Sequence, residues 1–392
     1  MKLSNRLLNI NGDPGKDDGW GVYYRANAMR AAGEPVVMLS IGEHDMTTPG
    51  FILDEMERSA RAGNTGYALV RGQAKLREAV AKRVSRSTGV ETGPGGVTIT
   101  TGGQAALYAG ICAAADPGET VVIVDPHYAT YPATVCGPGC VLKKVQARPE
   151  RGFQLDRDDL LQATQGARAL LVNTPHNPTG AVYNEATLEA IRDACVENDL
   201  WLISDEVYDG QVHEGAHVSP RSLPGMAERT LVVGSVSKSH VMTGSRIGWL
   251  AGPEEAIGAV IGLSNAMTYG VPGFLQDAAT VALTEGDALE AEVAAKYTRR
   301  RDKAVEALRG ANAVSVSPPQ GGMYVMLDIR ATGLSGSDFA MRLLEQEKIG
   351  VMPGESFGEA AAGHLRVALT VDDDAMVEAL GRLAAFAEKV RA

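Results

Sequence analysis

Four cysteines among 392 residues are too few for a disulfide framework. Cys136 and Cys140, in CGPGC, have the spacing of a pair. No second Cys or His pair follows at zinc spacing, so free thiols in a cytoplasm are expected, and no metal site. Long apolar runs are also missing: nothing approaches the ~20 residues that cross a bilayer. The opening MKLSNRLLNINGDPG lacks the apolar core of a signal peptide. Positive charge is in deficit. With 37 Lys and Arg against 48 Asp and Glu, the net charge of -11 argues against nucleic acid and anionic membranes, which require clustered bases. Repeats, low-complexity tracts and long linkers do not occur. What is present is ordinary for a soluble globular protein, with 45% apolar and 22% charged residues, in a chain long enough for two domains.

From about 95 to 250 short β-branched runs alternate with helical stretches. The strand candidates are VTIT (97–100), TVVIVD (120–125), ALLVN (169–173), LWLISD (200–205), TLVVGS (230–235) and IGWLAG (247–252). QAALYAGICAAA and NEATLEAIRDACVEND read as helices. Nearly continuous apolar strands separated by helices predict an α/β fold whose mostly parallel sheet is covered by helices on both faces. Beyond about 280 the pattern changes to long charged helices, a hairpin-like GGMYVMLDI and a final strand HLRVALT, which predict a smaller α+β domain. VVMLSIGE, near residue 40, is expected to pair with it. The resulting division is an arm with part of the small domain over 1–46, a large domain over 47–284 and a small domain over 285–392.

In such a sheet, ligands sit at the carboxyl ends of the strands. The residues that close each strand are TTGGQ, DPHY, NTPHNPTG, SDEVY and GSVSK. Gly102 and Gly103 open a helix, either as a tight turn or as an anion site made by free N–H groups. Asn177 stands in a constrained loop, where it is either part of a rigid turn or presents its amide. Asp205, delivered by an apolar strand, either caps a helix or meets a cation. Lys238 follows the apolar run LVVGSVS, a poor place for lysine unless it lies at the surface or does chemistry. A phosphate-binding P-loop requires Gly before the lysine, and Ser237 stands there. Ser235 and Lys238 match S-x-x-K, but no S-D-N or K-T-G follows.

Taken together, these ends supply what pyridoxal phosphate needs: an amine, a carboxylate for the ring nitrogen and donors for the phosphate. LSIGEHDMTTP, NTGYALVRG, TTGGQAAL, DPHYATYP, NTPHNPTG, SDEVY, SVSKSHVMTGSRIGW, GVMPGESFG and HLRVAL stand in the order and at the spacing of one family. The chain resembles the class I/II aminotransferases, fold-type-I pyridoxal-phosphate enzymes of the aspartate aminotransferase superfamily, over nearly its whole length.

The resemblance implies a ping-pong aldimine mechanism between an L-amino acid and a 2-oxo acid. By similarity, Lys238 forms the Schiff base and serves as the base for the proton shift. Asp205 holds the ring nitrogen protonated, Asn177 and Tyr208 bond the phenolic oxygen, and Tyr128 stacks on the ring. Arg246, Ser235 and Ser237, with the backbone at Gly102, Gly103 and Gln104, neutralise the phosphate. Tyr67 matches a tyrosine that reaches the neighbouring subunit's phosphate, which implies a homodimer. Arg366 matches the clamp on the substrate α-carboxylate, beside the backbone of Gly42 and Asn177. Tyr128 as plain core and Arg366 as a surface ion pair are the ordinary alternatives. His44, His176 and His240 read as satisfied structural histidines.

Two departures bear on specificity. Gln104 stands where dicarboxylate-specific relatives carry a lysine, and SNAMTYGVP lacks the arginine that others carry there. Aspartate specificity is therefore not expected. Met267 and Tyr269, if they face the pocket, favour an apolar or aromatic donor. The rival enzyme reading is a lyase or decarboxylase using the same cofactor. A regulator that only senses the cofactor would need a basic winged-helix module before the motifs, which begin near residue 39, and the acidic chain does not suggest one.

Overall fold

Residues 1–11 and 20–391 are described by the structure, a computed structural model, so residues 12–19 of the predicted arm lie outside it. The strands, in chain order, are β1 (Val37–Met38), β2 (Val97–Thr101), β3 (Thr120–Asp125), β4 (Val141–Gln146), β5 (Ala169–Asn173), β6 (Trp201–Asp205) and β7 (Thr230–Ser235). They continue with β8 (Ile247–Ala251), β9 (Ser315–Val316), β10 (Tyr324–Asp328), β11 (Ile349–Gly350), β12 (Met352–Pro353) and β13 (His364–Ala368). Each of the six strands read from the sequence in the large sheet is present.

The large sheet has the order β2-β8-β7-β6-β5-β3-β4, and only β8 runs against its neighbours. Alternation along each strand divides its apolar residues between two cores. Val121, Ile123, Leu171, Ile203 and Val233 pack on one face, while Val122, Val124, Leu170, Val172 and Leu202 pack on the other. Burial on both faces is why these strands read as continuous apolar runs. The seventh strand, β4, escaped the sequence reading for the opposite reason. Its VLKKVQ sits at the sheet edge with Lys143 and Lys144 exposed, and charge at an edge deters further pairing.

Register aligns the polar ends. Asn173 stands opposite Asp205, Asp205 opposite Val233, and Ser235 opposite Gly248. Because β8 is reversed, the residue before it, Arg246, emerges at the same edge where β7 delivers Lys238. The seven residues between them thus put a lysine and an arginine on one rim.

The smaller sheet is antiparallel, in the order β12-β13-β10-β9. Helix Asp287–Ala307 leads into it. The segment near residue 40 does pair with this region, but through β11 in a separate two-stranded parallel sheet. A further bond, Ala368 N to Leu39 O at 2.8 Å, ties it to β13. That bond brings Ser40 and Gly42 to the rim of the large sheet.

Candidate active site

At the end of β7 the chain makes one helical turn, Val236–Ser239, which Ser235 caps by accepting from the Ser237 N–H at 3.4 Å. Lys238 lies on this turn, half-buried, and its Nζ donates to the Gly42 carbonyl. Its main-chain carbonyl accepts from Gln211 Nε2 at 3.0 Å, which fixes the turn. Burial pushes the Lys238 amine below its ordinary range, with Arg366 and Arg246 pushing the same way against Tyr324 and Glu43. Lysine stands after an apolar run because the run is a central strand that ends inside a cleft.

Asp205 closes β6 and is buried. Its Oδ2 accepts from the Tyr131 hydroxyl at 2.7 Å and its Oδ1 from the Val207 N–H at 3.3 Å. The second bond is the local cap allowed by the sequence; the first was not foreseen. Burial pushes the carboxyl up to about 6, with Glu206 adding to the rise and the two bonds opposing it. Among the described residues no cation pairs with it. Next to it, Asn173 donates to the Asp205 carbonyl at 2.9 Å and accepts from the Asn177 N–H at 2.7 Å, holding the Asn177 loop against β6.

The third component is an anion cradle. Helix Gly102–Ala114 begins at this rim, so its first N–H groups face the cleft. Gly102 has φ 73°, and a Cβ there would overlap the Arg246 guanidinium. Gly248, opposite, has the backbone of Gly102 and Gly103 where its Cβ would be. Arg246 donates to the Thr243 carbonyl at 2.8 Å and remains exposed on its open side. The Gln104 side chain is engaged elsewhere, donating to Thr134 at 2.7 Å and accepting from Thr130 at 2.9 Å.

Arg366, on β13, is buried and is not a surface ion pair. Nη1 donates to Asn177 Oδ1 at 3.0 Å and Nη2 to the Ser40 carbonyl at 2.6 Å. Its guanidinium lies between the rings of Tyr324 and Phe357, 4.2 and 4.4 Å from their centroids. Nε is buried and has no partner among the described residues. A guanidinium held on two sides with one donor unused can receive an anion.

These groups surround one cavity of ≈ 270 Å³. Of the site residues expected from sequence, Gly42, Gly103, Gln104, Tyr128, Asn177, Asp205, Tyr208, Ser235, Ser237, Lys238, Arg246 and Arg366 line it. Gly102 lies just behind, under Arg246. Tyr128 turns its ring edge-to-face to Tyr131, with centroids 5.8 Å apart. Tyr208 donates to the Tyr324 hydroxyl at 3.2 Å. Asn173, Tyr131, Tyr324 and Phe357 belong to the site and were not singled out. Tyr131 and Tyr324 stand in DPHYATYP and GGMYVMLDI, where no local signal separates them from core aromatics.

Tyr67 lies away from the cavity, 90% exposed, with its ring 5.1 Å from that of Tyr269. Met267 and Tyr269 do not line the Lys238 cavity either. They stand at the end of a surface helix, 50% and 56% exposed, so they give this chain's own pocket no apolar wall. His44, His176 and His240 are buried and hydrogen-bonded to Tyr297, Thr179 and Ser239, and burial lowers each to about 4, which keeps them neutral. The four cysteines are free. No helix among the described residues is long and apolar enough to cross a membrane.

Residues 34–383 match the family described as "Aminotransferase class I and II". The chain is 41% identical to the arginine–pyruvate transaminase AruH of Pseudomonas aeruginosa, over 100% of this chain and 99% of that protein. It is 37% identical to the aspartate/prephenate aminotransferase of Thermus thermophilus, over 92% and 93% of the two chains. The solved Thermus thermophilus aspartate aminotransferase with maleate superposes with a TM-score of 0.91 at 35% identity, covering 98% of this chain and 100% of that one.

Proposed function

The chain belongs to the class I and II aminotransferases and transfers an amino group between an L-amino acid and a 2-oxo acid; from that premise we propose that the cavity around Lys238 holds pyridoxal 5'-phosphate, on which the family depends. The observation that carries this reading is a set of ionisable and anion-binding groups facing one space. They are a lysine amine, a buried carboxylate without a cation, a glycine-and-arginine cradle, and a clamped guanidinium with a free Nε. When bound, the cofactor supplies a carbonyl for the amino group and a ring that draws electrons from the donor's α-carbon.

The remaining work falls to the chain. Lys238 Nζ holds the cofactor and takes the donor's α-proton, which it can do because burial favours its neutral form. Asp205 retains the proton on the ring nitrogen. Arg246, Ser235 and the start of helix Gly102–Ala114 neutralise the phosphate, and Tyr128 covers the ring. Asn177 Oδ1 is taken by Arg366, so its Nδ2 is left to donate to the phenolic oxygen together with Tyr208. Arg366 receives the α-carboxylate through Nη and Nε, with the Gly42 backbone alongside.

The donor is not restricted to aspartate. Gln104 is tied to Thr130 and Thr134, and the two arginines lining the cavity are already assigned to the phosphate and the α-carboxylate. Glu43, exposed at the rim of the cavity, makes no ion pair among the described residues and offers a carboxylate to a basic donor side chain. This supports testing arginine with pyruvate, the pairing in the name of the 41% identical relative. The lyase and decarboxylase alternatives gain no support from the relatives, which are aminotransferases. We further propose a homodimer in which the exposed Tyr67 completes the partner's phosphate site, in a cytoplasmic enzyme.

The test is a donor and acceptor panel with product analysis. Lys238→Ala is expected still to bind the cofactor through its phosphate and ring contacts, and to lose turnover. Normal turnover by that variant overturns the cofactor reading, while ammonia or carbon dioxide in place of the new amino acid restores the rival chemistry.

A further inference from the structure

Tyr324 is absent from the roles above, yet it touches two parts of the site. It begins β10, is buried, and lies beside the strand β13 that carries Arg366. Its ring sits under the Arg366 guanidinium. Its hydroxyl accepts from Tyr208 at 3.2 Å, with the two rings edge-to-face at 6.1 Å. The same hydroxyl occupies the space where Gly42 would carry a Cβ, next to the carbonyl that receives Lys238 Nζ.

One hydroxyl has one hydrogen to give. On the reading above, which this inference rests on, Tyr208 gives its hydrogen to the cofactor's phenolic oxygen. The bond between the two phenols must then reverse, with Tyr324 donating to the Tyr208 oxygen. A hydroxyl that receives a hydrogen bond donates a stronger one in turn. Tyr324 suits the part. Burial raises its pKa, but Arg366, Lys238 and the bond from Tyr208 together lower it, and the two cations, which remain when that bond reverses, favour its donating. Tyr208 moves the other way, kept protonated by burial and by its neighbour.

We propose that Tyr324 is a positioning residue for this reaction: its hydroxyl orients and strengthens the Tyr208 hydrogen bond to the cofactor, while its ring holds Arg366 for the donor's carboxylate. The two halves separate by mutation, because Tyr324→Phe removes only the hydroxyl and Tyr324→Leu removes the ring as well.

The readout is the pH titration of the bound cofactor's absorption band in the holoenzyme. Tyr208's bond favours the deprotonated chromophore, so weakening it raises the apparent pKa. Tyr324→Phe is expected to raise it by about half a unit, roughly threefold in the acid constant. Tyr208→Phe raises it further, and adding Tyr324→Phe to Tyr208→Phe changes nothing more, because the bond is already gone. Tyr324→Leu is expected to raise the KM of every donor about fivefold or more above that of Tyr324→Phe. A wild-type titration reproduced by Tyr324→Phe, or the same shift appearing in the Tyr208→Phe background, overturns the hydroxyl's role. Equal KM values in the Phe and Leu variants overturn the ring's role. A wild-type protein without a cofactor band overturns the cofactor reading, and this inference with it.

Discussion

Burying an ionisable group costs free energy unless something meets its charge, and the two central residues of this site bear that cost differently. For Lys238 burial lowers the amine's pKa, which shifts it toward the neutral form that the proposed chemistry uses. Asp205 is left with a carboxyl raised from its ordinary 3.8 to about 6, although Tyr131 and Val207 donate to it. A raised folded pKa means that the folded chain binds the proton more tightly than the unfolded chain. The stabilisation is complete below about pH 4 and is lost as pH rises through about 6. A shift of about two units corresponds to roughly 3 kcal/mol. In cofactor-free protein, the stability difference between wild type and Asp205→Asn is therefore expected to fall by up to that amount between pH 4 and 7, read by denaturant titration at each pH. A flat difference would show that burial does not perturb this carboxyl. Catalysis gives a second check on the same residue. A charge pair ~4 Å apart at an effective dielectric of ~20 is worth roughly 4 kcal/mol, so Asp205→Ala should slow the half-reaction by about two to three orders of magnitude. A rate within about threefold of wild type would reduce Asp205 to a cap.

Elements explain which parts of the site could be read in advance. Strands buried on both faces announce themselves as apolar runs, and the residues closing them, Asn177, Asp205, Ser235 and Lys238, stand where the runs stop. The edge strand β4 carries Lys143 and Lys144 and gives no such signal. Contacts made across elements were equally silent. Tyr131 reaches Asp205 across 74 positions, and Asn177 meets Arg366 across 189. Nothing local in GGMYVMLDI says that β10 will set Tyr324 under an arginine from β13. The glycines of TTGG were legible as a turn or an anion site, and the structure supplies the reason: Arg246 fills the space a side chain would need. Gly102→Ala must place a Cβ into that guanidinium at φ 73°, in the left-handed region that an L residue enters at a cost of about 1–2 kcal/mol. Displacing Arg246 would then remove the charged bond proposed to the phosphate, for which roughly 1.5–3 kcal/mol is typical. We expect cofactor affinity to fall about tenfold or more, measured by equilibrium dialysis. Unchanged affinity would mean that Arg246 does not serve the phosphate.

At the scale of the molecule, the chain leaves a group of large side chains in water that its own folding does not use. Tyr67 is 90% exposed and Tyr269 56%, their rings 5.1 Å apart where residues 65–68 meet 268–270, and Leu69, next in the chain, is 70% exposed. Exposed aromatic surface of this kind is what the proposed dimer would cover. A two-fold dimer places the same patch on both copies, so Tyr67 of each can stand at the other's cradle. Sedimentation is expected to show at least a dimer, and mixing tests the sharing directly. Lys238→Ala lacks the amine but keeps Tyr67, while Tyr67→Ala keeps the amine. In a mixed dimer, one site combines an intact Lys238 with an intact Tyr67, and the other has neither. Random reassortment makes half the dimers mixed, each with one good site of two, so activity should recover to about a quarter of wild type. If Tyr67 serves its own chain, or serves no site at all, mixing yields only the average of the two parents. Recovery above that average requires the phosphate site to be built from two chains, and its absence would confine Tyr67 to the surface where the single chain shows it.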